Sequence, residues 1–524
     1  MTSVDFSPGS SFRSGSSITY TIFLFVNPTS GGNKANVFTK SGMEMFKISN
    51  PVMASVHIYD IREGESGSKE GFLKVKEITN NMKDESVPIY IIAAGGDGTV
   101  MWCVDELEKS QVNFEKLAIG VIPFGTGNDF SRALNWMTIL DNPFDNGLHR
   151  FRQLINDWVT ADIIEHDIWS VKAVVDSYGC FYKVDSFSRK KKVVNKQGKG
   201  GKQGGGNHEY MKTVDRGSNT IATELTFRMS NYFSVGIESR IGIGFDRNRT
   251  KNAFLNKIRY ALEGVKNTFR HTTPVYDIID KCTVEIDDDS EHSYEKKNNV
   301  QNNSFNNGTV KSVPGIRMTS PSDKVLFVTD KNERLKKNSC RCIRTGDTVF
   351  SHKNGMNDQD HLLFHNSTEN VHSPTLLPCA SLIFINIPSF ASGNDIWRYC
   401  KGNCGVKYKF KSESIENMLF EQQKMGDEKI ECVSFPSAVA IGLEIAIKGM
   451  GRRVFQTEGP VRLHFKQKNL LATGRKVYFQ VDGEFLIAYH PLYFDVTHSR
   501  KIRVLQGRAE RTLHGNTLFK SNLH

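Results

Sequence analysis

Three short glycine-bearing segments carry the residues with the most chemistry to offer: Asn27-Pro28-Thr29-Ser30-Gly31-Gly32, Gly95-Gly96-Asp97-Gly98-Thr99 and Gly125-Thr126-Gly127-Asn128-Asp129. Each follows an apolar run of strand length, Ile22–Val26, Ile89–Ala94 and Ala118–Phe124, and each leads toward a segment with helical spacing. A helix N-terminus offers free N–H groups and the positive end of the peptide dipole, so such a turn suits a phosphate. Glycines let the main chain come close to a bulky anion, and Pro28 sets the first turn. Asp97 differs in kind, because a carboxylate beside phosphates repels them unless it holds a metal ion or a proton. One glycine-rich turn alone is as often only a turn. Three at one expected sheet edge, one with a central acid, point to phosphate binding. The G-x-x-x-x-G-K-[ST] loop is absent, Gly125–Phe130 breaks the G-x-G-x-x-G pattern, and there is no protein-kinase catalytic loop.

The surrounding residues predict the scaffold. Between 20 and 140, apolar runs at Thr21–Val26, Ala54–Tyr59, Pro88–Ala94 and Leu117–Phe124 alternate with helix-like stretches at Asn36–Ile48, Lys69–Asn81 and Thr99–Glu108. Continuously apolar strands with helices between them indicate a doubly wound α/β domain with a buried parallel sheet. It is expected over 19–160, after a disordered N-terminus at 1–18. From about 160 on, runs such as Thr220–Ser230, Tyr232–Ile237, Thr283–Ile286, Ser381–Ile387, Ala438–Ile447, Val461–Phe465, Lys476–Val481 and Phe485–Tyr489 read as strands. They predict a second, mainly antiparallel β-sandwich-like domain over 161–510, ahead of a tail at 511–524. Residues 251–269 read as one amphipathic helix. Ser188–Ser218 (Lys/Gly-rich) and Asp287–Ser373 (Asn/Ser/Lys/Asp-rich) have too little apolar content to pack and are expected as disordered insertions.

Composition limits the alternatives. Nine scattered cysteines in 524 residues argue for reduced thiols rather than a disulfide framework. No basic stretch followed by an apolar run opens the chain, and no window approaches the ~18 apolar residues of a membrane span, so a cytoplasmic protein is expected. The net charge of +11 favours an anionic surface, and Ser188–Lys202 holds seven basic residues with no acidic one.

The three loops, in this order, resemble the N-P-x-S-G-G, G-G-D-G-T and G-T-G-N-D motifs of the diacylglycerol kinase catalytic domain, and Ser131-Arg132-Ala133-Leu134 continues the likeness. Sphingosine, ceramide and NAD kinases share these motifs. Asn231-Tyr232-Phe233-Ser234-Val235-Gly236-Ile237, Asn386–Trp397 and Val481-Asp482-Gly483-Glu484 resemble the accessory domain of the eukaryotic diacylglycerol kinases and single out that family. Animal members usually carry cysteine-rich zinc modules before the catalytic domain. Little chain precedes Asn27 here, and no pair of cysteines has convincing zinc spacing, so the expectation is a minimal form.

The resemblance implies an ATP-dependent kinase acting on the free hydroxyl of a membrane diacylglycerol, with the three loops holding ATP and Mg²⁺ near Asp97. It leaves two acids as general base, Asp97 and Glu484. Glu484 is preferred as base and Asp97 as organiser of metal and phosphate, although Asp482-Gly483 between two strands is also an ordinary hairpin signal. Transient contact with an anionic membrane through Arg189–Lys202 is expected, and no nucleic-acid partner. A sphingosine- or ceramide-type kinase, or an inactive lipid-binding regulator, are the competing readings.

Overall fold

The structure, a computed structural model, describes residues 18–40, 42–82, 86–125, 127–136, 143–144, 148–184, 191–193, 222–247, 262–263, 273–285, 360–365, 375–407, 420–467 and 476–508. The apolar runs of the first region become β1 (Thr19–Val26), β2 (Met45–Ile48), β3 (Met53–Asp60), β4 (Ile89–Gly95) and β5 (Leu117–Pro123). They lie in the order β2-β3-β1-β4-β5, parallel except for the antiparallel edge strand β2. Every residue of β4 and β5 is buried, as expected of continuous apolar strands covered on both faces. Helices α1 (Glu70–Asn81) and α2 (Asp97–Lys109) cover the face carrying Phe23, Phe25, Ile91 and Ile119. After the short α3 (Asp129–Ala133), α4 (His149–Val159) packs Phe151, Ile155 and Trp158 on the opposite face.

Two strands of 23 residues each join this sheet to the rest of the molecule. They are β6 (Asp162–Val184) and, at the other end of the chain, β19 (Glu484–Gln506). They run antiparallel from Asp162↔Gln506 to Lys183↔Leu486, and Val504 in β19 pairs in parallel with Ile119 in β5. The last described strand therefore extends the first sheet. Its other half, with β6, enters the second region.

There β7 (Lys191–Val193) and β8 (Glu224–Met229) pair with β6. The remaining strands are β9 (Tyr232–Gly236), β10 (Ile279–Glu285), β11 (Asp360–His365), β12 (Thr375–Leu376), β13 (Ser381–Ile385), β14 (Val406–Lys407), β15 (Ile430–Phe435), β16 (Arg452–Thr457), β17 (Val461–Phe465) and β18 (Lys476–Val481). Two branches leave β19: β18-β9-β13-β15-β16 from its start and β17-β10-β11-β12-β14 from its middle. All these pairs are antiparallel except β11–β12. Trp169, Phe227, Phe233, Phe384, Phe455, Phe479 and Phe494 fill the core they share.

Several local expectations change. Asn36–Ile48 is not one helix but a 3₁₀ turn at Lys34–Asn36, one α turn at Val37–Lys40 and strand β2. Gly42 at φ +64° breaks the helix, and Phe46 then pairs with Val56 of β3. Ala438–Ile447, expected as a strand, is helix α6, with α5 (Ile237–Arg247) following β9. A run this apolar, broken only by Glu444, does not distinguish a buried strand from a buried helix. Here the Ser437 side chain accepts from Ala440 N and caps the start, while Ala438, Ala440 and Ile441 pack against Trp397 and Phe435. The expected helix over 251–269 lies outside the described residues apart from Leu262 and Glu263. The two expected insertions do likewise, apart from β7 and β11. Among the described residues no helix is long and apolar enough to cross a membrane.

Candidate active site

The three glycine loops meet at the carboxyl edge of β1, β4 and β5. Asn27 Nδ2 donates to Thr99 Oγ1 at 3.4 Å, and Asn27 Oδ1 accepts from Thr29 Oγ1 at 2.7 Å. The backbone runs left-handed through Gly31, Gly32 and Asn33 (φ +63°, +68° and +71°). A Cβ on Gly31 would stand 2.7 Å from the Phe124 carbonyl oxygen, so the first loop lies directly on the third. The second and third loops also touch: a Cβ on Gly125 would come within 2.8 Å of Gly96 Cα. Pro28, Ser30, Gly32, Gly95, Gly98 and Gly127 belong to the same rim. Thr126 lies outside the described residues. Asn128, at φ +52°, donates from Nδ2 to the Gly125 carbonyl at 2.6 Å and holds the third loop closed.

Asp97 opens α2 at the centre of this rim. Its Oδ2 accepts from Asp129 N at 2.8 Å, from Phe130 N at 3.3 Å and from Asn231 Nδ2 at 3.0 Å. Its Oδ1 is buried with no hydrogen-bond partner. Burial, then the nearby Asp129 carboxylate, push the Asp97 carboxyl up to about 7, against the two main-chain donors that favour its charged form.

The β region folds back onto the same edge. Asp482 and Gly483, at φ +45° and +85°, make the two-residue hairpin between β18 and β19, with Val481 paired to Glu484. Asp482 turns its carboxylate inward. Oδ2 accepts from Ser230 N at 2.6 Å, while Oδ1 accepts from Asn231 N at 2.9 Å and Tyr232 N at 3.0 Å. Burial pushes this carboxyl up to about 6, with the three amides pulling the other way. Glu484 then faces the cleft with Lys183 Nζ 3.3 Å from its Oε2. Asp97, Gly98, Met101, Asn231, Asp482 and Glu484 line one cleft of about 440 Å³, open solvent included. The two acids singled out from sequence, far apart in the chain, thus share one opening.

Asp129 has a different place from the one its motif suggests. Its Oδ1 accepts from Ser389 Oγ at 2.6 Å, Ser392 N at 2.9 Å and Gly393 N at 3.0 Å, and Tyr232 OH reaches its Oδ2 at 3.4 Å. Its side chain ties the third glycine loop to the 386–397 segment. In the wall of the cleft, Arg228 in β8 donates to Asp105 of α2 at 2.6 Å and to Glu108, which also accepts from Arg500 of β19 at 2.6 Å. Asn231, Asp482, Lys183 and Arg228 carried no assigned role at the level of sequence. Asn231 and Asp482 left the clearer signal, as polar residues set against apolar strand ends inside recognisable motifs.

Comparison with known proteins agrees with this architecture. The diacylglycerol kinase catalytic domain matches residues 21–155, and the diacylglycerol kinase accessory domain matches 228–308 and 330–485. Diacylglycerol kinase 2 of Arabidopsis thaliana is 25% identical over 285 residues, covering 52% of this chain and 31% of that one. Diacylglycerol kinase 1 of Drosophila melanogaster is 35% identical over 115 residues, 22% of this chain and 8% of its own length. Probable diacylglycerol kinase 3 of Caenorhabditis elegans is 20% identical over 494 residues, 94% of this chain and 44% of that protein. The chain spans less than half the length of these relatives. With both family domains matched in order and their motifs gathered at one cleft, the chain belongs to the diacylglycerol kinase family.

Proposed function

We propose that the protein transfers the γ-phosphoryl group of ATP to the free hydroxyl of a 1,2-diacylglycerol, giving phosphatidic acid and ADP. The observation that carries this reading is the joint presence of Asp97, at the phosphate-type rim, and Glu484, on the opposite lip of the same cleft. The three loops supply main-chain amides for the triphosphate at the opening of α2. Glu484 takes the proton of the lipid hydroxyl as the new P–O bond forms and the bond to ADP breaks. Lys183 holds the Glu484 carboxylate toward the cleft. The close apposition of the β region to the rim limits water as a competing acceptor.

The donor set suits Mg²⁺. Asp97 Oδ1 is buried and unpartnered, and no cluster of three or more His, Cys, Asp or Glu ligands exists among the described residues. A magnesium ion needs only one or two protein carboxylates when phosphates and water complete its shell. When bound, it neutralises charge on the phosphates, and Asp97 is the residue that would hold it.

Membrane contact fits the same geometry. The backbone of Lys191–Val193, part of the basic stretch, pairs with Tyr182–Val184 and so lies beside the strand residue Lys183 that reaches Glu484. A basic segment there draws the cleft toward an anionic leaflet at about 1 kcal/mol per Lys or Arg. The protein accordingly works from the cytoplasm as a transient peripheral enzyme.

Lipid vesicles or micelles carrying diacylglycerol, sphingosine, ceramide or a monoacylglycerol, assayed with radiolabelled ATP and thin-layer chromatography, test the proposal. Label in phosphatidic acid supports it. Label appearing only on sphingoid bases transfers the chain to another lipid-kinase activity, and label on no lipid removes the catalytic reading.

A further inference from the structure

Asn231 is 3% exposed, and nearly all its polar atoms are committed. Its N–H donates to Asp482 Oδ1 at 2.9 Å, its carbonyl accepts from Asn386 N at 2.9 Å, and its Nδ2 donates to Asp97 Oδ2 at 3.0 Å. The amide nitrogen is thus engaged with Asp97, which leaves the amide oxygen as the side chain's remaining acceptor. That oxygen, Asn231 Oδ1, is buried with no partner, as is Asp97 Oδ1 on the residue it holds. Asn128 Oδ1, in the adjoining loop, is a third buried acceptor in the same condition. Buried acceptors without a donor are costly, and all three belong to segments that meet at the rim, so a ligand that satisfies them fits this edge. Phosphate oxygens cannot, because they are acceptors too. A divalent cation with its shell of water donors can.

We infer that Asn231 is a positioning residue for a hydrated divalent cation: it holds Asp97 in place through Nδ2 and offers Oδ1 to the cation or one of its waters. The β region thereby contributes to the nucleotide rim of the α/β region. Because Asp482 holds Asn231 by its backbone and lies two residues before Glu484, one short relay sets both the cation side and the hydroxyl side of the cleft. The inference rests on the proposed nucleotide site and not on which lipid is phosphorylated.

Mn²⁺ is the probe, titrated into the full chain saturated with a non-hydrolysable ATP analogue and followed by electron paramagnetic resonance. Asn231→Leu should weaken Mn²⁺ binding about 10–100-fold, the usual effect of losing a residue that orients a metal-holding carboxylate. Nucleotide affinity without metal should be unchanged. Asn231→Asp keeps the volume but exchanges the donor that faces Asp97 Oδ2 for a second carboxylate oxygen, so its Mn²⁺ affinity should differ from that of the wild type. Mn²⁺ affinity indistinguishable from wild type in either folded variant overturns the inference. If Asn231→Leu fails to fold, Asn231→Asp decides alone. A Mn²⁺ effect in a protein that phosphorylates no lipid would sink the substrate reading and leave this one standing.

Discussion

Lys183, near the end of β6, reaches Glu484, the first residue of β19, with Nζ 3.3 Å from Oε2. The two residues stand 301 positions apart in the chain, yet one strand ladder brings them together, because Lys183 pairs in register with Leu486. Glu484 lines the cleft, and both side chains of the pair are half-buried. Lys183 also pairs through its backbone with Lys192, so the proposed base lies next to the strand that carries Lys191–Val193.

Replacing Glu484 with Gln keeps the shape and removes the proton acceptor. Turnover should fall about 10²–10⁴-fold while the KM for ATP stays near wild type. Initial rates on mixed micelles of diacylglycerol measure both. Wild-type turnover in Glu484→Gln would return the role of base to Asp97.

Asp97→Asn should abolish most activity and also change stability with a definite sign. The folded carboxyl is pushed up to about 7, above its unfolded value of 3.8. A raised acid stabilises the fold fully below the unfolded value, and that contribution is lost as pH rises through about 7. Metal-free Asp97→Asn should therefore match the wild type near pH 4 and exceed it at pH 8, by an amount on the order of 2–4 kcal/mol. Urea melts across this pH range provide the check; equal stability at pH 8 would contradict it.

Gly125 tests the contact between loops. A Cβ there would stand 2.6 Å from Asn128 Oδ1 and 2.8 Å from Gly96 Cα. Since one neighbour is backbone, Gly125→Ala has to push the second and third loops apart, at about 1–3 kcal/mol. The KM for ATP should rise more than the KM for lipid. An unchanged ATP KM would show that the loops do not grip the nucleotide together.

Arg228 joins β8 to Asp105 and Glu108 of α2, with its side chain 25% exposed. Arg228→Met should cost about 1–3 kcal/mol by withdrawing charged hydrogen bonds from buried Asp105 and half-buried Glu108. It should also weaken the seat of the β region on α2, lowering turnover without changing binding of a nucleotide to the rim. Calorimetry together with steady-state rates separates the two effects.

The parallel sheet and its glycine loops were legible from residues a few positions apart. An apolar run ending in Gly95-Gly96-Asp97 encodes strand, turn and helix start within a dozen residues, and the structure follows it. Ala438–Ile447 reads as a strand because its one charged residue, Glu444, leaves too little contrast to reveal a helical period; a mostly apolar run suits a buried helix as well as a strand. The motifs around Asn231 and Ser389 were visible, but their partners were not. Ser389 meets Asp129 across 260 positions, and no local pattern records such a contact.

Local chemistry therefore settled which residues could grip a phosphate, since main-chain geometry at Gly31, Gly96 and Gly125 depends on near neighbours and on the absence of a side chain. Long-range strand pairing settled what those loops face. The ladder between β6 and β19 carries Glu484 back over hundreds of residues, and the Asp482 carboxylate then anchors Asn231 against Asp97. Those hydrogen bonds form only once the sheets are paired and water has left the edge between them, because until then solvent satisfies every one of the same donors and acceptors.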